Sequence, residues 1–262
     1  MPLPEKRARA SSPAPTPAGR EGTLIDTLLV HLRRYDAISE VEEQALRGAM
    51  SGVLEFPRGA TMVRADTELD SSNALISGFV HRYKQLSDGR RQSMEVSIAG
   101  DFVDLHSLLM KRIDHDIGCL APCQVAIFPH ERLRELTESQ PHLARVLWLS
   151  TVIDAAIHRE WIVSLGVRSA LQRLAHLFCE LWTRLDAVGL AQDHGFDFPV
   201  TQTELADILG ISSVHVNRTL RELRELGLAT FRGRMVEITD WAALTRTAEF
   251  DAGYLAQHSR PR

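Results

Sequence analysis

The chain has 262 residues, enough for one large or two ordinary domains, and its 44% apolar content is typical of a globular protein. Its formal net charge of −4 gives no sign of nucleic-acid binding through bulk charge. The cysteines do not form a disulfide framework, so we expect a reducing cytoplasm, with neither a secretory signal nor a membrane span.

The N-terminal segment predicts a tail followed by two helices. Residues 1–22 are rich in Pro, Ala and Ser without apolar periodicity, which predicts a disordered tail. Two helical patterns follow up to Met50, and Ser39 with Glu42 is spaced as a capping box that would open the second helix.

Between Ser51 and Phe128 the apolar period shortens to that of strands. Short apolar runs are separated by turn residues, with Gly59, Gly78, Gly89 and Gly100 at the turns. Strands of this length and spacing predict a compact antiparallel barrel or roll. We assign residues 23–140 to this β domain and its flanking helices.

A long helix is predicted from Pro141 to Leu165. Its apolar residues are not confined to one stripe, so it must be buried on more than one side. We interpret residues 141–166 as a dimerisation helix that packs on its own roll and on a twin; the alternative is a monomer that encloses the helix. Gly166 is expected to interrupt it, within a hinge over Ser164–Arg168.

A helical hairpin is predicted within residues 167–262. The first helix of this region is capped by Ser169. A later, short helix has an inner face of Leu205, Ile208 and Leu209, and Gly210 ends it. Ser212 is a good N-cap for the next helix. Its outer face carries small polar residues and arginine, which suits the DNA major groove: Ser213, Val214, Asn217, Arg218 and Arg221.

A short β-hairpin follows the second helix. Leu228–Phe231 and Met235–Ile238 flank a turn that carries Arg232 and Arg234. A winged helix-turn-helix needs this order, with the wing beside the groove. Residues 201–236 hold five arginines and four acidic residues, so affinity would depend on where a few arginines and helix N-termini point, and it would weaken with salt.

The segment from Thr201 to Ile238 resembles the C-terminal domain of the Crp/Fnr family of bacterial transcription regulators, most specifically over Gly210–Arg218. The strand series resembles the double-stranded β-roll sensor domain of the same family. The resemblance implies an α+β architecture of β-roll, dimerisation helix and C-terminal winged helix-turn-helix. It also implies double-stranded DNA, a second copy of the chain and RNA polymerase as partners.

In the family pattern, the positions of Val214, Asn217 and Arg218 face base edges, and we add Ser213. Arg218 would pair with guanine, whereas Val214 departs from the common glutamate and can contact only a thymine methyl. The family's usual operator is therefore not carried over. Contacts to the DNA backbone are expected from Thr201, Thr203, Ser212, His215, Arg221, Arg232 and Arg234.

The sensor half departs from two family signatures. Members that bind cyclic nucleotides have Gly-Glu-Leu and then Arg-Ser or Arg-Thr, but here Asp104-Leu105-His106 and Ile113-Asp114-His115-Asp116 stand there. An acidic cluster would repel a phosphate, so we do not expect cyclic AMP. Oxygen-sensing members carry an N-terminal cysteine cluster, and no cysteine precedes Cys119.

Other functions stay open at this point. One is a redox-, haem- or metal-responsive regulator that uses His106, His115, Cys119 and Cys123, although the spacing of the two cysteines is not that of a zinc ribbon. We expect Cys179 to be a buried core residue. Another is an effector-independent regulator controlled by abundance, and a third is a module that acts by protein contact. We expect no cofactor and no enzyme, because the sequence has no phosphate loop, nucleophile elbow or paired-carboxylate motif.

Overall fold

Two helices precede the first strand, and the second begins with a side-chain cap. The computed structural model describes residues 24–255, so the tail predicted over residues 1–22 lies outside them. Helices α1 (Asp26–Arg33) and α2 (Glu40–Ala49) bury their leucines in the apolar core. The predicted capping box is confirmed, because the Ser39 Oγ accepts from the Glu42 amide while the Glu42 carboxylate accepts from the Ser39 amide at 2.9 Å.

Seven strands form the predicted antiparallel roll as two sheets, with strand orders β1-β7-β3 and β2-β6-β4-β5. The sequence did not indicate β6, which pairs with both β2 and β4 because tertiary pairing overrides a weak local preference. The strands are β1 (Gly52–Phe56), β2 (Thr61–Val63), β3 (Ser71–Ser77), β4 (Val80–Gln85), β5 (Arg91–Ser97), β6 (Asp116–Cys119) and β7 (Cys123–Pro129).

Helix α3 (Ser107–Met110) lies within the roll, between β5 and β6, and two helices connect the roll to the C-terminal half: α4 (His130–Ser139) and α5 (Pro141–Val167). The interruption predicted at Gly166 is wrong, because α5 continues to Val167 and only Arg168 leaves the helical conformation. A glycine near a helix end costs only about 1 kcal/mol, which packing can offset. Over residues 24–255, no helix is both long and apolar enough to cross a membrane.

The C-terminal half folds around α6, whose predicted Ser169 cap is confirmed by a capping box with Gln172. A three-stranded sheet of order β8-β10-β9 packs beside it, and its first strand was missed from the sequence. The elements are α6 (Ala170–Asp186), β8 (Gly195–Asp197), α7 (Gln202–Leu209), α8 (Ser213–Glu225), β9 (Ala229–Arg232), β10 (Met235–Ile238), α9 (Trp241–Ala248) and a 3-10 helix (Ala252–Leu255).

A buried charge cluster joins these two halves, formed by Arg82, Glu95, Asp101, Asp154, Glu180 and Arg184. Arg184 of α6 reaches the roll, where it donates to Asp101 at 2.6 Å and to the Val96 carbonyl at 2.9 Å. Arg82 of β4 donates to Glu95 at 2.8 Å and to Asp154 of α5 at 2.9 Å. Burial alone would raise the pKa of Glu95, but Arg82 and His158 lower it to about 2.

The cluster predicts a large effect for the Arg184→Ala substitution. The variant leaves the carboxylates of Asp101 and Glu180 buried without their partner, so we expect a loss of roughly 3–5 kcal/mol in the free energy of unfolding. Urea denaturation at a fixed protein concentration measures it. The matched control is Arg64→Ala, an exposed arginine that should change stability by less than about 0.5 kcal/mol. Equal losses in the two variants would contradict the prediction.

Candidate nucleic-acid interface

The corner between α7 and α8 is built from local signals. Thr201 caps α7 in a capping box with Glu204, and Ser212 caps α8 by accepting from the His215 amide at 3.3 Å. Gly210 ends α7 in the left-handed conformation with φ of +65°. The left-handed backbone favours glycine, and a Cβ there would also lie 2.9 Å from the Gln92 Oε1, so the Gln92 side chain would have to shift.

The inner face of α8 attaches it to the domain. Val216 and Leu223 are fully buried in the apolar core. Thr219 lies between them and is also buried, with its hydroxyl donating to the His215 carbonyl at 3.0 Å. Because the inner face is held in this way, the opposite face of the helix has a fixed direction.

The outer face of α8 carries the predicted base-contacting residues on one surface. Val214 is 82% exposed, although it is apolar. Asn217, Arg218 and Arg221 are exposed beside it, whereas Ser213 is half-buried. Exposed apolar and cationic side chains along one helix face match what a major groove offers, namely thymine methyl groups and guanine acceptors.

Asn217 has a neighbour that the sequence did not indicate. Its Nδ2 donates to the Gln202 Oε1 at 2.9 Å and to the Ser213 carbonyl at 3.1 Å. Gln202 is the first residue of α7, so this bond ties the outer face of α8 to the adjacent helix. Glutamine can itself read a base edge, which makes Gln202 a further member of the surface.

The residues expected to contact the DNA backbone have unequal environments. Thr203 and Arg232 are exposed, and His215 is half-buried. The hydroxyl groups of Thr201 and Ser212 take part in helix caps. Each stays a predicted phosphate contact.

Arg234 differs from the other wing arginine. Its guanidinium forms two hydrogen bonds with the Asp197 carboxylate, and this pairing raises the pKa of Arg234. Asp197 belongs to β8, the strand that widens the wing. A DNA phosphate would have to compete with this carboxylate for Arg234. The alternation of Phe196 and Phe198 about Asp197 is the signal that could have revealed β8.

A cavity of about 480 Å³ lies between the roll and α5. It is lined by Arg82, Lys84, Met94, His106, Met110, Asp114, His115, Thr151, Asp154, Ala155, His158, Trp161, Ile162 and Leu165. Its two cations are already paired, Arg82 with Glu95 and Asp154, and Lys84 with Asp114 at 2.7 Å. A phosphate would find no cation without a counter-ion in this lining.

The segments that depart from the cyclic-nucleotide signature have structural partners. Asp104 accepts from the backbone and side-chain amides of Asn73, at 2.5 and 2.6 Å, and burial raises its pKa to about 6. Asp116 accepts from the Ala65 amide at 3.0 Å. Both carboxylates therefore hold the backbone of the roll.

The proposed ligand set of His106, His115, Cys119 and Cys123 is not brought together at the cavity. His106 and His115 line it, with ring centroids 5.5 Å apart, whereas both cysteines are buried in the apolar interior of the roll. Hydrogen bonding to Cys123 and burial raise the pKa of the Cys119 thiol. Within residues 24–255, no group of three or more His, Cys, Asp or Glu side chains is placed to hold a metal ion. Cys179 is fully buried in the core, as expected.

Two family models match the chain. Residues 53–140 match the cyclic nucleotide-binding domain, and residues 172–247 match the Crp-like helix-turn-helix domain. The first match covers the strands of the roll, and the second runs from α6 to α9. Together they span more than half of the chain.

Similar proteins include the transcriptional activator protein FnrL of Cereibacter sphaeroides, 26% identical over 224 residues, which are 84% of this chain and 90% of that protein. The nitrogen fixation regulation protein FixK of Bradyrhizobium diazoefficiens is 29% identical over 66% of this chain and 72% of that protein. The solved structure of FixK2 from Bradyrhizobium japonicum shares 22% identity, with a TM-score of 0.69 over 78% of this chain and 99% of that one. The structural similarity shows a common fold.

The corner predicts opposite effects for two glycine substitutions. Gly210→Ala should lower the free energy of unfolding by roughly 1–2 kcal/mol, because alanine is strained at a left-handed φ. The control Gly48→Ala lies within α2 with nothing within 4 Å of the added Cβ, and it should raise stability by roughly 0.5–1 kcal/mol. Thermal or urea unfolding measures both, and a neutral Gly210→Ala would contradict the assigned corner.

Proposed function

This chain belongs to the Crp/Fnr family of transcription regulators, and we propose that it binds a two-fold-symmetric DNA operator as a homodimer through the outer face of α8. The observation that carries the proposal is that face: Val214, Asn217 and Arg218 stand exposed on a helix whose opposite side is fully buried. The site of action is the cytoplasm, where RNA polymerase is the partner that contacts the regulator bound to its operator.

Base recognition is assigned to four residues of α8. Arg218 pairs with guanine and Val214 contacts a thymine methyl, while Ser213 and Asn217 contact neighbouring bases. Thr201, Thr203, Ser212, His215, Arg221 and Arg232 contact the backbone, together with Arg234 if Asp197 releases it. Because the chain is acidic overall, local contacts supply the affinity.

A second copy of the chain is assigned to the exposed side of α5. Trp148, Val152 and Ile162 are 71%, 47% and 69% exposed, and they follow the 3.5-residue repeat of a coiled coil together with Ala155 and Arg159. Large apolar side chains exposed along one stripe of a helix indicate an interaction surface. A two-fold dimer along α5 presents two α8 helices to half-sites one DNA turn apart.

The roll is assigned the role of a signal-sensing domain, with the cavity beside α5 as the place where a small molecule would act. Since Arg82 and Lys84 are already paired, the cavity does not favour a cyclic nucleotide phosphate. The two cysteines lie together in the apolar interior of the roll, away from His106 and His115, so the haem or metal alternative that needs all four residues has no support. A regulator that acts without an effector is the outcome if no compound changes DNA binding.

Selection of bound sites from random DNA tests the role of Arg218. For Arg218→Ala we expect the preference at one base pair of each half-site to relax by roughly 5- to 150-fold, the equivalent of about 1–3 kcal/mol of discrimination. The control is Arg224→Ala, an exposed arginine in the last turn of the same helix, which should leave the selected sequence unchanged. Identical operators from wild type and Arg218→Ala would refute this assignment.

Light scattering and DNA titration test the dimer. Trp148→Glu places a charge in the stripe, so we expect a monomer that binds a single half-site normally but a full operator roughly 100-fold more weakly, because avidity is lost. The control is Val41→Glu, an exposed apolar residue of α2 outside the stripe, 64% exposed, which should stay dimeric. A dimeric Trp148→Glu protein would remove α5 as the interface.

A further inference from the structure

The roll holds α7 at both of its ends. At the N-terminal end, Arg58, from the turn between β1 and β2, donates to the Glu204 carboxylate and to the Pro199 carbonyl. At the C-terminal end, the Gln92 side chain of β5 donates to the carbonyls of Asp207 and Ile208, at 3.1 and 3.4 Å. Two attachments at opposite ends of one helix fix its direction as well as its position.

The attachment leaves α8 free. Val214 and Arg218 on the outer face of α8 are exposed, so the roll does not cover the proposed DNA-reading surface. Asn217 of α8 is bonded to Gln202 of α7, and Gly210 fixes the corner between the two helices. The direction of α8 therefore follows the direction in which the roll holds α7.

We propose that Arg58 and Gln92 of the roll are positioning residues that set the half-site spacing which the dimer accepts. This inference rests on the proposed function, since spacing has meaning only for a dimer on a two-fold operator. One inserted base pair moves a half-site by about 3.4 Å along the DNA and by about 34° around it. A DNA-binding domain that is attached to the roll at two points cannot move with the displaced half-site, whereas a domain that has lost one attachment can.

The contact chemistry suits a positioning role more than direct DNA binding. Arg58 is paired with Glu204, so the pair as a whole carries no net charge to attract a phosphate. The Glu204 carboxylate also completes the cap of α7 by accepting from the Thr201 amide at 2.6 Å. Arg58 thus contacts α7 at its N-terminal cap. A displacement of Arg58 would therefore move the whole of α7.

The test measures binding to three operators that differ only in their centre: the selected site, and the same site with one base pair inserted or removed. Fluorescence anisotropy with full-length protein gives each affinity, and a single half-site serves as the reference. For wild type we expect strong discrimination against both altered spacings. For Arg58→Ala and Gln92→Ala we expect roughly tenfold weaker binding to the selected site, little change on the altered ones and an unchanged half-site affinity.

Two further variants separate positioning from other roles. Glu204→Gln keeps an acceptor for the cap but removes the charge that Arg58 pairs with, so it should reproduce Arg58→Ala, and the double variant should add nothing. Arg64→Ala, another exposed arginine of the roll, should behave as wild type. Agreement of these results supports the inference.

Several outcomes would overturn it. Unchanged spacing discrimination in Arg58→Ala and Gln92→Ala would show that the attachments do not set spacing. A fall in half-site affinity with a smaller salt dependence for Arg58→Ala, not shared by Glu204→Gln, would make Arg58 a phosphate contact. Tighter binding by the variants would make the attachment inhibitory. If wild type bound no operator at all, the proposed function itself would fail, which is a distinct result.

Discussion

The structure depends on Arg184, a charged side chain of the DNA-reading half that is buried against the sensor half. Removing a guanidinium from water is costly, so its position is stable only where Asp101, Glu180 and the Val96 carbonyl meet it together. These groups come from the end of the roll and from α6. Burial of one arginine therefore requires the roll and α6 to meet in one arrangement, and a shift of either element leaves a charge unpaired.

The two helices of the DNA-binding corner, α7 and α8, have different roles. The roll contacts α7 through Arg58 and Gln92, while α8 keeps its outer face exposed. A regulator of net charge −4 cannot rely on a broad basic surface to hold DNA. Its affinity has to come from a few contacts in correct register, and register is what a firmly attached helix pair provides.

The sequence revealed the features that local chemistry determines. Capping residues act within four positions of themselves, so Ser39, Ser169 and Ser212 could be identified without tertiary information. Strand β6 was missed because its pairing with β2 and β4, more than its own composition, makes it a strand. Strand β8 is so short that only the alternation about Asp197 indicates it.

The candidate site was predicted only in part, for the same reason. The outer face of α8 follows from helical periodicity, so its residues could be named in advance. Other features depend on segments that are distant in the chain. Arg234 pairs with Asp197, and Asn217 bonds to Gln202. The burial of Arg82 and Arg184 likewise depends on distant partners. An arginine that will be buried looks the same in a sequence as one that will be solvated, because burial is decided by the partners that the fold brings to it.

The charge cluster also connects the cavity to the reading head. Arg82 and Asp154 line the cavity. Arg82 and His158 both pair with Glu95, and the Glu95 carboxylate lies 3.9 Å from the Arg184 guanidinium. A molecule that drew Arg82 or Asp154 toward itself would change the charge balance around Glu95, and therefore around Arg184. Because intermediate positions would leave buried charges unpaired, such a network favours a few discrete arrangements over a continuous range. The same buried charges that hold the two halves together thus also border the cavity.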